Sequence, residues 1–177
     1  MTAKPQARQE PEVWLRGPVP GIAPLLQPVA HALLQAREDV HRVVTPLAND
    51  ALWARPEGAA SVGFHVRHAA GSLDRLFTYA RGEALSEAQR AALVRETAPE
   101  EQGNASAAEL VGAFEAQVER ALAQLRGTAE DRLTEPREVG RARLPSTVLG
   151  LLFHAAEHTQ RHVGQTITTA KVVEGIR

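Results

Sequence analysis

The chain has 177 residues, a formal net charge of −1 and no cysteine. That length suits one compact domain with a sizeable core, and the interspersed charges leave no basic stripe for nucleic acid or an anionic membrane surface. The lack of cysteine removes disulfides, zinc-thiolate sites and a cysteine nucleophile, and fits a reducing compartment.

Alanine is abundant and aromatic residues make up only 4% of the chain, a composition that suits close-packed helices better than sheets. The N-terminal residues lack an apolar core of signal-peptide length. The longest apolar run, around Val148 to Phe153, is far short of the ~18 residues a membrane span needs. The expectation is a soluble cytoplasmic protein with no membrane partner.

Residues 1–20 are rich in proline and polar side chains, and six of the eleven prolines lie at or before Pro28. Proline removes a backbone donor and fixes φ, so an extended or disordered arm is expected here, with Trp14 as its one large packing anchor. Residues 21–177 form the single folded domain. From Gly21 to Leu47, apolar residues recur at helical spacing, with Pro24 and Pro28 tolerable only near the start. His31 and His41 on this first helix have no companions and carry no site assignment.

Trp53 follows as a lid over one end of a bundle. Ser61 is placed to cap a second helix whose stripe is Val62, Val66, Ala69, Leu73, Leu76, Phe77 and Ala80, stopped at Gly82. Ser86 with Gln89 has the spacing of a capping box and opens a short segment closed by Pro99, followed by a loop over 100–105. The box of Ser106 with Glu109 opens a third long helix, with Leu110, Val111, Phe114, Val118, Leu122 and Leu125 on one face and Gly127 at its end. Residues 128–145 carry charges, two prolines and weak periodicity, and read as a long crossover. A fourth helix runs from Ser146 to Val173. Four long helices with two substantial connections define an all-α, four-helix bundle with long crossovers and an irregular N-terminal arm.

Five of the seven histidines fall in two short windows: His65 and His68 on the second helix, and His154, His158 and His162 on the fourth. Residues four apart on a helix share a face, so neighbouring imidazoles on the fourth helix can aim at one ion. His154 and His162 are separated by ~12 Å along the axis and cannot both ligate it through bonds of ~2 Å. On a helical wheel His162 lies ~60° from the buried centre, His158 ~100° and His154 ~140°, which favours the pair His158 and His162. A third imidazole from the second helix would leave coordination positions open to water or substrate. The wheel alone chooses His65 for that place, because it lies nearer the apolar stripe than His68. A single helical histidine is most often solvated or a satisfied core residue, but a run of three in register beside a second cluster is chelating geometry.

The segments EHTQRHVGQT (157–166) and SVGFHVRHAAGSLDRL (61–76) resemble the DinB/YfiT-like superfamily of bacterial four-helix-bundle proteins, and the similarity extends over the helical body. The resemblance implies a divalent metal held by three histidines, which map here to His68, His158 and His162. His65 and His154 then become neighbouring or alternative ligands. Gln165 and Glu157 become groups that hydrogen-bond near the site, and Gly164 a point of close helix approach. Imidazole ligands suit zinc or nickel first, with iron, manganese or copper also compatible.

The resemblance further implies a homodimer and a thiol-dependent transferase, in which the metal activates a low-molecular-weight thiol toward an electrophile. A cation favours the thiolate, and a cysteine-free protein can use it because the sulfur arrives with the cofactor. The alternatives are a metal-dependent hydrolase and a non-catalytic, stress-associated bundle stapled by its ion.

Overall fold

A computed structural model describes residues 10–96, 98 and 105–175. Its helices are α1 (Gln27–Val44), α2 (Asn49–Trp53), α3 (Val62–Ala80), α4 (Glu87–Glu96), α5 (Ala107–Arg126) and α6 (Val148–Gly175), with one antiparallel hairpin of β1 (Pro136–Val139) and β2 (Leu144–Thr147) before α6. Four helices of 18 to 28 residues build the bundle, and α2 and α4 are short additions. No helix among the described residues is long and apolar enough to cross a membrane.

The long helices pack in a ring in which α3 touches α6 and α5, and α1 touches the same two. Cross-helix pairs fix their directions. His65 meets His162 and His68 meets His158, so α3 and α6 run antiparallel. Trp53, seated on Gly63 near the start of α3, donates its indole N–H to Ala105 before α5, and Gln124 near the end of α5 reaches the Phe77 carbonyl near the end of α3. Those two helices are therefore parallel.

The core between the helices holds fully buried Leu33, Leu73, Phe77, Phe114, Leu122 and Leu152. Burying each such side chain contributes ~1.5–3 kcal/mol relative to leaving it exposed.

The helix ends follow local chemistry. The Ser61 hydroxyl accepts from the Phe64 amide at 3.1 Å, and Ser106 with Glu109 forms a complete capping box. Ser86 and Gln89 exchange the same reciprocal bonds at 2.9 and 3.1 Å. Gly82 ends α3 at φ +82°, a left-handed conformation glycine adopts without strain. Gly127 follows α5 at φ −87°, so its backbone needs no glycine.

Three expectations change. The expected crossover over 128–145 ends in the hairpin, which weak periodicity and two prolines conceal and which runs on to Thr147, so the fourth helix starts at Val148 and not at Ser146. In the arm, Val13 is the buried anchor, in a 3-10 turn (Val13–Leu15) held by a bond from its amide to Gln35, whereas Trp14 is 61% exposed. Adjacent residues of a tight turn point apart, and the smaller side chain faces α1. At Gly164 a Cβ would meet nothing within 4 Å, so that glycine marks no close helix approach. The Pro99 stop and most of the 100–105 loop lie outside the described residues, as does the arm before residue 10.

Candidate metal centre

Helices α3 and α6 cross where their histidine windows coincide. His68, His158 and His162 each offer one ring nitrogen such that all three lie within 4.8 Å of one another. The Nε2 atoms of His68 and His158 are 3.2 Å apart. Two nitrogens bound tetrahedrally at ~2.0–2.1 Å to one ion are separated by about 3.3 Å, so this spacing, which also suits a hydrogen bond between the rings, is compatible with two ligands of one cation. The ring centroids of His162 lie 4.6 Å from His68 and 4.7 Å from His158.

The imidazoles of His158 and His162 are set up as neutral donors of lone pairs. Burial, followed by the charges of His68, His158 and His65, pushes the His162 pKa down to about 4. Burial also lowers His158, with His68 the next contributor. Neutral imidazole is the form that ligates metal. The Nδ1 of His158 is buried without a hydrogen-bond partner, while its Nε2 is the nitrogen that faces His68. The donor set therefore fits a divalent cation of intermediate softness.

The surrounding shell is specific. His65 is buried, at 7% exposure, and its Nδ1 faces the Nδ1 of His162 at 3.1 Å, so one of these two nitrogens carries the shared proton. On the other side, the Nδ1 of His68 lies 2.9 Å from a carboxylate oxygen of Glu96, at the end of α4. Phe64 stacks parallel to the His68 ring at 5.6 Å. Burial alone would raise the Glu96 pKa, but hydrogen bonds from His68 and Arg75 outweigh it and hold the group below the usual carboxylate range. An ionised carboxylate only accepts, so the proton in this contact sits on His68 Nδ1, and in the neutral ring that tautomer has its lone pair on Nε2, the nitrogen facing His158.

The other sequence candidates add no nitrogen to the triad, although the His154 ring lies 5.5 Å from that of His158. His154 is exposed, and its Nδ1 pairs with Glu157 at 3.1 Å; Glu157 also binds Arg161 on the same helix face and reaches no triad imidazole. Gln165 is exposed and lines an open groove of about 580 Å³ with His65, Arg161 and Thr168. His31 bonds the Gly17 carbonyl at 2.9 Å through Nε2.

Sequence reasoning missed Glu96, Arg75 and Gly71. Glu96 is 28 residues from His68 on a polar segment, and only tertiary packing brings it there. Gly71, one turn beyond His68, had the sole available signal, a glycine inside a helical stripe.

The family model of the DinB superfamily matches residues 32–166, well over half the chain and spanning both histidine windows. The chain belongs to the DinB superfamily. No curated protein matches it.

Proposed function

We propose that this chain binds a divalent metal through His68, His158 and His162 and uses it to activate a low-molecular-weight thiol for transfer to an electrophile. The observation that carries the reading is the convergence of three imidazole nitrogens from two antiparallel helices within 4.8 Å. Zinc or nickel suits that donor set best. When bound, such a cation favours the thiolate form of a coordinated thiol. Three neutral ligands leave the ion its full charge for this purpose.

The remaining parts belong to the chain's own side chains. If His162 ligates through Nε2, its Nδ1–H donates to His65, which fixes the ring plane as outer partners of metal-bound histidines do. The groove lined by His65 and Arg161 has room for a small molecule. The chain has no cysteine and so no thiol of its own, which makes the thiol a co-substrate. The absence of cysteine is in keeping with a reducing cytoplasm, and the family likeness extends the proposal to a homodimer, which sedimentation velocity tests.

The direct test is metal analysis of protein purified without an affinity metal resin, paired with His158→Ala. Near-stoichiometric zinc or nickel in the wild type and its loss in the variant support the site; equal metal in both overturns it. Holo-protein is then incubated with a panel of biological thiols and an electrophile. Metal-dependent consumption of both supports transfer. Stabilisation by metal without turnover would assign the ion a structural role.

A further inference from the structure

The only buried residue of α4 is a carboxylate. Every other described position of that helix is exposed or half-buried, whereas Glu96 is 4% exposed and its partner Arg75 8%. A helix normally docks through an apolar stripe, and α4 has none. A buried ion pair is by itself a poor source of stability, because desolvating both groups offsets their attraction. Glu96 also has a third partner. Its Oε1 accepts from Arg75 at 2.5 Å, and its Oε2 accepts from Arg75 at 3.2 Å and from His68 Nδ1 at 2.9 Å.

The backbone is shaped to admit this group. A Cβ on Gly71 would lie 2.1 Å from the Glu96 Oε1 and 2.8 Å from an Arg75 guanidinium nitrogen. Glycine costs a helix interior ~1 kcal/mol relative to alanine, and here it makes the space in which the carboxylate sits.

We propose that Glu96 is a positioning residue for the metal centre: held by Arg75 and admitted by Gly71, it locks His68 in the Nδ1–H tautomer, so that the Nε2 lone pair is presented to the cation. The inference rests on the reading of the triad as a metal site. Arg75 only donates, so its role is to keep both carboxylate oxygens oriented as acceptors toward α3. In Glu96→Gln the amide oxygen stays on the short Arg75 bond, and the amide N–H₂ turns toward His68 Nδ1. Nδ1 must then accept, the proton moves to Nε2, and the ligand lone pair is lost.

The test uses the full-length chain. Long-range ¹H–¹⁵N correlation spectra of the metal-free protein read each imidazole tautomer without any metal. The wild type is expected to show His68 as Nδ1–H, and Glu96→Gln to shift it to Nε2–H. Cobalt(II) affinity, measured by chelator competition, is expected to fall 10–100-fold in Glu96→Gln. Gly71→Ala, whose methyl displaces the carboxylate while favouring the helix, is expected to weaken cobalt to a similar extent and serves if Glu96→Gln fails to fold.

An unchanged His68 tautomer, or cobalt affinity within twofold of wild type in both variants while His158→Ala abolishes binding, overturns the inference and leaves the metal reading standing. Cobalt binding that survives His158→Ala overturns the metal reading and this inference with it.

Discussion

The Nε2 atoms of His68 and His158, 90 positions apart in the chain, face each other at 3.2 Å across the seam of two antiparallel helices. Their spacing is set by helix packing, and the ion they would share bridges α3 and α6. Metal binding and bundle stability are therefore linked. Zinc at 100 times its Kd is expected to stabilise the native state by ~2.7 kcal/mol, roughly 5–10 °C in Tm for a chain of this size. Differential scanning calorimetry with and without a chelator measures the shift, and His158→Ala should abolish it.

Acidification should destabilise the metal-free protein over a defined window. The His162 pKa is lowered from an ordinary value of 6.5 to about 4. Between those values the unfolded chain takes up a proton that the folded chain refuses, so stability is full above about 6.5 and declines as the pH falls toward about 4. Glu96, also depressed, keeps its contribution down to its unfolded value of 4.5 and loses it below, so the two effects act in successive ranges. Thermal midpoints between pH 7 and pH 4.5 should fall less steeply in His162→Gln than in wild type. Parallel slopes would contradict the assignment.

Most of this architecture was legible from local chemistry. The four long helices, the Ser61 cap and both capping boxes follow from periodicity and from short-range hydrogen bonding, which depends on neighbours within four residues. The pairing of His158 with His162 was legible for the same reason. The choice on α3 was not. A helical wheel measures burial, and by that measure His65 wins, since it is 7% exposed whereas His68 is half-buried. The cluster forms at the rim of the buried face, where the helix crossing sets which ring converges, and there it is His68, the residue to which the resemblance maps, whose nitrogen lies within 4.8 Å of those of His158 and His162. Glu96 had no local signature, because a glutamate ending a polar helix looks solvated until α4 is docked.

Gly63→Ala tests the lid. A Cβ there would sit 2.8 Å from the Trp53 ring, whose aromatic edge cannot flex out of the way as a side-chain tip can. Overpacking costs ~1–3 kcal/mol, partly offset by the better helix propensity of alanine, for a net loss of about 1–2 kcal/mol. Urea unfolding gives the loss, and a changed tryptophan emission spectrum would show that the indole had moved.

Ser106→Ala tests the start of α5. It removes the hydroxyl that accepts from the Glu109 amide at 3.3 Å, while the Glu109 carboxylate keeps its 2.8 Å bond to the residue 106 amide. Half of the box survives, so the expected cost is ~1 kcal/mol, or about 2–4 °C in Tm, with cobalt affinity unchanged. A loss of cobalt binding would mean that the start of α5, which meets α3 through Trp53 and Ala105, also positions the triad.

The hairpin joins α6 without slack, since β2 ends at Thr147 and α6 begins at Val148. The amides of Val148 and Leu149 bond the carbonyls of Glu135 and Leu133, and Arg137 of β1 donates to the Ala80 carbonyl at the end of α3. The hairpin thus acts as an indexing stop, clocking the rotational phase of α6 against α3. One residue added after Thr147 would turn everything downstream by about 100°. The imidazoles of His158 and His162 would then swing away from His68 together, although neither they nor their immediate neighbours had been altered.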